Sequence, residues 1–129
     1  MSFTNFLEDK VLDHVFGGNA YSAPTTLYVG LFTAAPGETG GGTEVSGNNY
    51  SRKTVTFTVS GTAPTEATSA AAVEFDTASG SWGTITHVAV FDAATSGNML
   101  VYASLAASKT IGSGDVFRIP AGDLDITLD

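Results

Sequence analysis

Two histidines, thirteen carboxylates and a few turn serines are the groups in this sequence with which chemistry could be done. His14 lies on the polar side or edge of a helical stretch, with no carboxylate or second histidine at the i+4 spacing of a helical metal site. His87 falls in a strand-like run on the face of Ile85, Ala89 and Phe91, where a buried, hydrogen-bonded imidazole is expected rather than a free base. No G-x-S-x-G elbow surrounds any serine, and Ser79 and Ser113 stand beside glycines in turn contexts. The absence of cysteine removes thiol nucleophiles, thiolate zinc sites and disulfides together. Gly40-Gly41-Gly42 is not followed by Lys-Ser/Thr and opens no helix, so it cradles no phosphate. Asp123, Asp125 and Asp129 alternate and could hold a hard cation with a backbone carbonyl, but the D-x-[DN]-x-[DN]-G loop is missing. They are read as a solvated acidic edge that discourages unwanted pairing. Trp82 fits a core tryptophan capping a turn, with a carbohydrate or protein contact as the alternative. The expectation is no catalytic residue, no cofactor and no metal.

Charge limits the partners. Five Lys and Arg face thirteen Asp and Glu, giving a net charge of -8, and the cations are dispersed apart from the pair Arg52-Lys53. A phosphate backbone is gripped by clustered cations, so nucleic acid is not an expected partner, and an anionic membrane surface is disfavoured for the same reason. Neither a membrane span nor a signal peptide is expected. The Asn49-Tyr50-Ser51 sequon therefore carries no weight. Charged residues make up only 14% of the chain, which leaves a Thr-, Ser-, Gly- and Ala-rich surface suited to packing against protein.

The elements that must carry such a surface read from the hydrophobic period. At 129 residues one domain is expected. Residues 1–18 form a helical arm: Thr4 is its N-cap, Glu8 and Asp9 lie near its positive end, and Gly17-Gly18 stops it. Phe3, Leu7, Val11 and Val15 make one i, i+4 row, with Leu12 and Phe16 on a neighbouring row. A stripe on so short a helix must dock, either on this domain's own sheet or on another subunit. From residue 19 the period is two. Strands are expected over 25–33, apolar on both faces, and over 53–59, with Val55, Phe57 and Val59 on one side. Others are expected over 71–75, 84–91, 99–105, 116–119 and 123–129, divided by Gly, Ser and Asn turns. The predicted fold is all-β, an antiparallel β-sandwich (jelly-roll-like) with one short N-terminal α-helix.

Residues 34–52 do not fit a compact hairpin. Such a Gly-rich loop is either surface slack or an arm that orders against a neighbouring chain, with Val45, Tyr50, Arg52 and Lys53 supplying contacts and Tyr50 the best anchor. The candidate interface is therefore Phe3, Leu7, Val11 and Val15 on the arm and Val45, Tyr50, Arg52 and Lys53 on the loop.

The stretch from Asn5 through Phe57, the later SWGTITHVAVFDAATSGNML and the ending GDLDITLD resemble a family of small virion structural proteins of tailed bacteriophages. The resemblance spans nearly the full chain, chiefly through L-x-x-x-x-L-D-H-x-F-G-G and T-L-Y-V-G-L-F-T. Members are tail-fibre proteins or capsid cement (decoration) proteins, so the resemblance implies a virion component made in the host cytoplasm and no catalytic residues. Its partners would be the major capsid protein or tail proteins. The sequence itself favours cement on the outer capsid surface. A fibre usually needs repeats or heptads to trimerise, and neither is present, while strong acidity keeps the chain from packaged DNA. The apolar stripe implies a homo-oligomer, a trimer or dimer. The alternative is a tail-fibre or baseplate component, including a receptor- or glycan-binding module that stacks sugars on Trp82, Tyr28, Tyr50 or Tyr102. A small β-sandwich hydrolase is a remote third.

Overall fold

The computed structural model describes residues 1–62 and 64–128. Its elements are β1 (Ser2–Phe3), α1 (Asn5–Val15), β2 (Leu27–Ala34), β3 (Thr43–Glu44), β4 (Lys53–Val55), β5 (Phe57–Ser60), β6 (Thr65–Ser69), β7 (Val73–Glu74), β8 (Gly83–Phe91), β9 (Met99–Ile111), β10 (Arg118–Ile119) and β11 (Asp125–Leu128). Every pairing is antiparallel. The main sheet runs β1-β9-β8-β2-β3, and β4 pairs a second stretch of β2. The strands β11-β6-β5 form a second sheet and β10-β7 a third. The expected all-β, sandwich-like architecture with one short helix is present.

The main sheet is apolar on both faces, as the double-sided pattern of residues 25–33 requires. Leu27, Val29 and Leu31 of β2 join Val88 and Val90 of β8 and Val101 of β9 in the larger core, closed by Phe75, Phe117, Ile119 and Leu124. Tyr28 and Phe32 face the other way, against Ala89, Phe91 and Met99. At roughly 25 cal/mol per Å² of buried apolar surface, the larger core dominates the stability.

Several strands differ from the pattern in the sequence. Residues 53–59 are two strands in two sheets, because the chain leaves the main sheet at Thr56. Val55 is buried, but Val59 is 68% exposed and does not share a core with it. β6 has no apolar alternation to announce it. It is held instead by pairing on both edges and by the buried Ser69 hydroxyl, which accepts the N–H groups of Gly122 and Leu124. The strands expected over 71–75 and 116–119 shrink to β7 and β10, leaving Val116 46% exposed. At the end of the chain Leu124 is buried, Ile126 packs on the core and Leu128 is 60% exposed, while Asp129 lies outside the described residues.

β9 runs six residues past the expected end at 105, through a bulge. Ile85 pairs Lys109 while His87 pairs Ser104, so residues 105–108 stand opposite Thr86 alone. The bulge changes the phase of the strand. Ile85 therefore shares the larger core with Val88, whereas His87 lies on the face of its partner Phe32. The common face expected for Ile85 and His87 does not exist. Half-buried His87 sits with Nδ1 2.8 Å from the Thr86 hydroxyl.

The helix starts one residue after the expected cap. Thr4 accepts from the Leu7 N–H and donates to the Met99 carbonyl at 2.7 Å, so one buried hydroxyl caps α1 and ties it to β9. Phe3 belongs to β1, paired with Val101, and not to the helix. The stop at Gly17-Gly18 is as expected, with Gly18 at φ 77°.

Val90→Ala, at the centre of the main sheet, should lower stability by about 2–3 kcal/mol, whereas Val59→Ala should change it by less than about 0.5 kcal/mol, both read from urea unfolding midpoints. Equal effects would contradict the assignment of the core.

Candidate interaction surface

The Gly-rich loop folds back on its own domain. After β2 the buried Pro36 turns it across the second face of the main sheet. There the Asn5 N–H donates to the Glu38 carbonyl at 3.0 Å, and the Tyr102 hydroxyl donates to Oε1 of Glu38 at 2.9 Å. β3 then returns along β2, with Glu44 opposite Phe32. The Val45 N–H donates to the Leu31 carbonyl and its side chain enters the larger core.

β3 and β4 leave a gap along β2, and side chains close it. The Leu31 N–H, facing the gap, donates to the Tyr50 hydroxyl at 2.9 Å. That hydroxyl in turn donates to Oε2 of Glu44 at 2.7 Å. Arg52 grips the same carboxylate with two parallel bonds of 2.8 Å, from Nε and Nη2. Its remaining nitrogen donates to the Ala93 and Ser96 carbonyls at 2.9 and 2.8 Å. The guanidinium carbon lies 3.4 Å from the Phe91 ring centroid, a close cation–π contact. Gly30 makes the approach possible. A Cβ there would meet Glu44 Oε2 at 2.7 Å and the Phe91 ring at 3.1 Å.

The Tyr50 ring stacks on Phe75 and meets Trp82 edge-on at 5.4 Å. Trp82 is buried and donates from Nε1 to the Asn48 carbonyl. The turn that presents this carbonyl holds Asn48 and Asn49 at positive φ, and their amides are bonded to Ser81 and Thr77 carbonyls. Burial, reinforced by the bond to the Glu44 carboxylate, holds the Tyr50 hydroxyl protonated far above its ordinary range. Burial followed by the charge of Asp92 raises Tyr21, and the bond to Glu38 raises Tyr102.

The four candidate loop residues thus make their visible contacts inside the chain: Val45 in the core, Tyr50 and Arg52 on Glu44, and Lys53 on Asp76 at 2.7 Å. Of the arm candidates, Phe3 and Leu7 pack on the larger core, Val11 is half-buried and Val15 is 60% exposed. Phe16, at 82%, and Leu12, at 59%, from the neighbouring row, face solvent together with Val15. The spacing revealed two rows, but only the direction in which β1 and Thr4 lead the chain decides which row turns inward. Leu12 and Val11 share a groove with Phe3 and the end of β11 at Leu128. Of the proposed stacking platforms, Trp82 is covered, while Tyr28, Tyr50 and Tyr102 are half-buried. Among the described residues no three His, Asp or Glu side chains gather at one point.

Arg52→Ala would leave Glu44 and two carbonyls without their donor and should cost about 3 kcal/mol. Tyr50→Phe should cost about 1–3 kcal/mol. Because the folded Tyr50 keeps its proton while the unfolded chain ionises near 10, its contribution is full below that pH and is lost as pH rises above it. Unfolding midpoints measured at about pH 9 and about pH 11 should fall further for the wild type than for Tyr50→Phe. Parallel losses would contradict the buried hydroxyl.

The model of one family, podophage GP4 fiber I protein gp80, matches residues 2–127, and the chain belongs to that family. No curated protein matches it. Membership makes the chain a structural component of a tailed bacteriophage virion, in agreement with the resemblance carried by its own motifs.

Proposed function

We propose that the chain is a building block of the podophage tail fibre that works by packing against copies of itself and against other virion proteins, and catalyses nothing. The family description supports the fibre in preference to the capsid-cement role expected from composition. The observation that carries the packing role is the apolar end of α1. Leu12, Val15 and Phe16 remain uncovered in a domain that buries apolar side chains on both faces of its main sheet, and Leu128 stands at the same groove. Isolated exposed leucines need no explanation, but grouped ones mark contact surfaces.

The interface is correspondingly narrower than the sequence suggested. Leu12, Val15 and Phe16 supply it, with Leu7 and Phe3 fixing the helix from beneath. The loop contributes its exposed turn around residues 37–43, while Val45, Tyr50 and Arg52 keep that turn in place. Copies carrying -8 each repel one another, so association has to come from this uncharged contact and should strengthen as salt screens the repulsion.

Light scattering should show two or three copies associating at high protein concentration, more strongly in added salt. The double variant Leu12→Asp, Phe16→Asp should be monomeric with an unchanged melting temperature, since both residues are exposed. A wild type that stays monomeric, or a double variant of unchanged mass, would contradict the interface.

A further inference from the structure

The sandwich is open on one side, between β9 and residues 117–125. A cleft of about 590 Å³ lies there, with the buried side chains Val88, Phe117, Ile119 and Leu124 beneath it and residues 103–107 and 109 of β9 along one wall. On its outer edge β9 is paired by β1 at Val101 and Tyr102, and beyond them no described strand takes up its backbone. β11 is the outermost strand of its own sheet, and Asp125 stands on the opposite wall. The cleft therefore joins two open sheet edges over an apolar floor. Its mouth shows how the gap can be bridged: the Met1 nitrogen donates to the Asp125 carbonyl at 3.0 Å just where Ser2 pairs Tyr102. Past that point the gap is uncovered.

We propose that this cleft docks an extended segment of a neighbouring virion protein, added as a strand to the open edge of β9. Its alternate apolar side chains would lie on the floor, and a carboxylate would sit at the rim. A strand supplies backbone groups to an edge and every second side chain to the surface beneath, which matches what the cleft lacks. The rim holds Lys109 and Arg118, two of the five cations, beside Asp123 and Asp125. Arg118 has only a 4.0 Å contact to Glu74, both exposed, and remains available. On a chain of net -8 this is ground where an acidic segment meets no excess of like charge. The bulge takes residues 105–108 out of the β8 register, so the edge offered to a guest is irregular and the fit to the floor selects the guest.

A second copy is a poor source of that strand. Its segments with alternating apolar residues are already paired, and the longest stretch between described elements, residues 16–26, is rich in Gly, Ser and Thr. The inference rests on the virion role proposed above for the identity of the partner. The test uses purified full-length chain, so its failure leaves the association of the helix ends untouched.

The probe is the peptide acetyl-Thr-Val-Asp-Val-Thr-Val-amide at millimolar concentration, followed by backbone amide shifts and hydrogen exchange. Shifts and slowed exchange are expected at residues 103–110 and 123–125. They should be absent with the shuffled acetyl-Thr-Thr-Asp-Val-Val-Val-amide. In Ala107→Pro, which lies on the exposed bulge outside the β8 register, binding should be at least about tenfold weaker. No response, an equal response to both peptides, or a response centred elsewhere overturns the proposal. So does movement of the same amides with protein concentration alone, which would make a second copy the occupant.

Discussion

The carboxylate of Glu44, pinned at the edge of the main sheet, is the contact on which the rest of the structure turns. It accepts from Tyr50 and from both branches of Arg52, and each of these reaches into a different core. The Tyr50 ring packs with Phe75 and Trp82 on one side of the sheet, and Arg52 covers Phe91 on the other. One ion pair thereby fastens the two apolar layers around the edge of β2. A partly buried pair of this kind gains little over apolar packing, because desolvation offsets much of the attraction. Its consequence is positional: it fixes where the loop runs and where the turn at 93–96 sits.

With the loop fixed, the second face of the main sheet is covered. Phe32, Phe91 and Met99 would otherwise form an exposed apolar sheet, a surface prone to indiscriminate association. Glu38, held by Asn5 and Tyr102, binds the same loop to the start of α1. Thr4 then ties the helix cap to β9. Of the large apolar side chains left outside, Leu12, Val15 and Phe16 stand together on the last turns of α1, while Val59 and Val116 are exposed singly on other elements.

Much of this was legible in the sequence. The two-sided pattern of β2, the Thr4 cap, the Gly17-Gly18 stop and the all-β architecture follow from period and local backbone preferences. The bulge in β9 was not legible, because its Leu-Ala-Ala-Ser run carries no glycine or change of polarity to mark it, and it reversed the facing of His87 relative to Ile85. β6 escaped because its stability comes from pairing on both edges and from Ser69, not from apolar alternation. In the loop, the sequence singled out Val45, Tyr50, Arg52 and Lys53 as contacts to a neighbouring chain, and their partners within the chain were not legible because Glu44, Phe91 and Asp76 carry no local pattern that links them to the loop. An i, i+4 row likewise shows that a helix has an apolar face without showing which of two rows meets the sheet.

A small apolar contact at the end of α1 and membership of a fibre family support the proposed place of the chain in the podophage tail fibre. Electron cryomicroscopy of intact virions tests this most directly, by locating the chain and the neighbours of its helix. The account predicts density for the chain in the tail fibre, with Leu12 and Phe16 buried against an adjacent subunit. Density on the capsid lattice, or fibre density in which that end of the helix faces solvent, would contradict it.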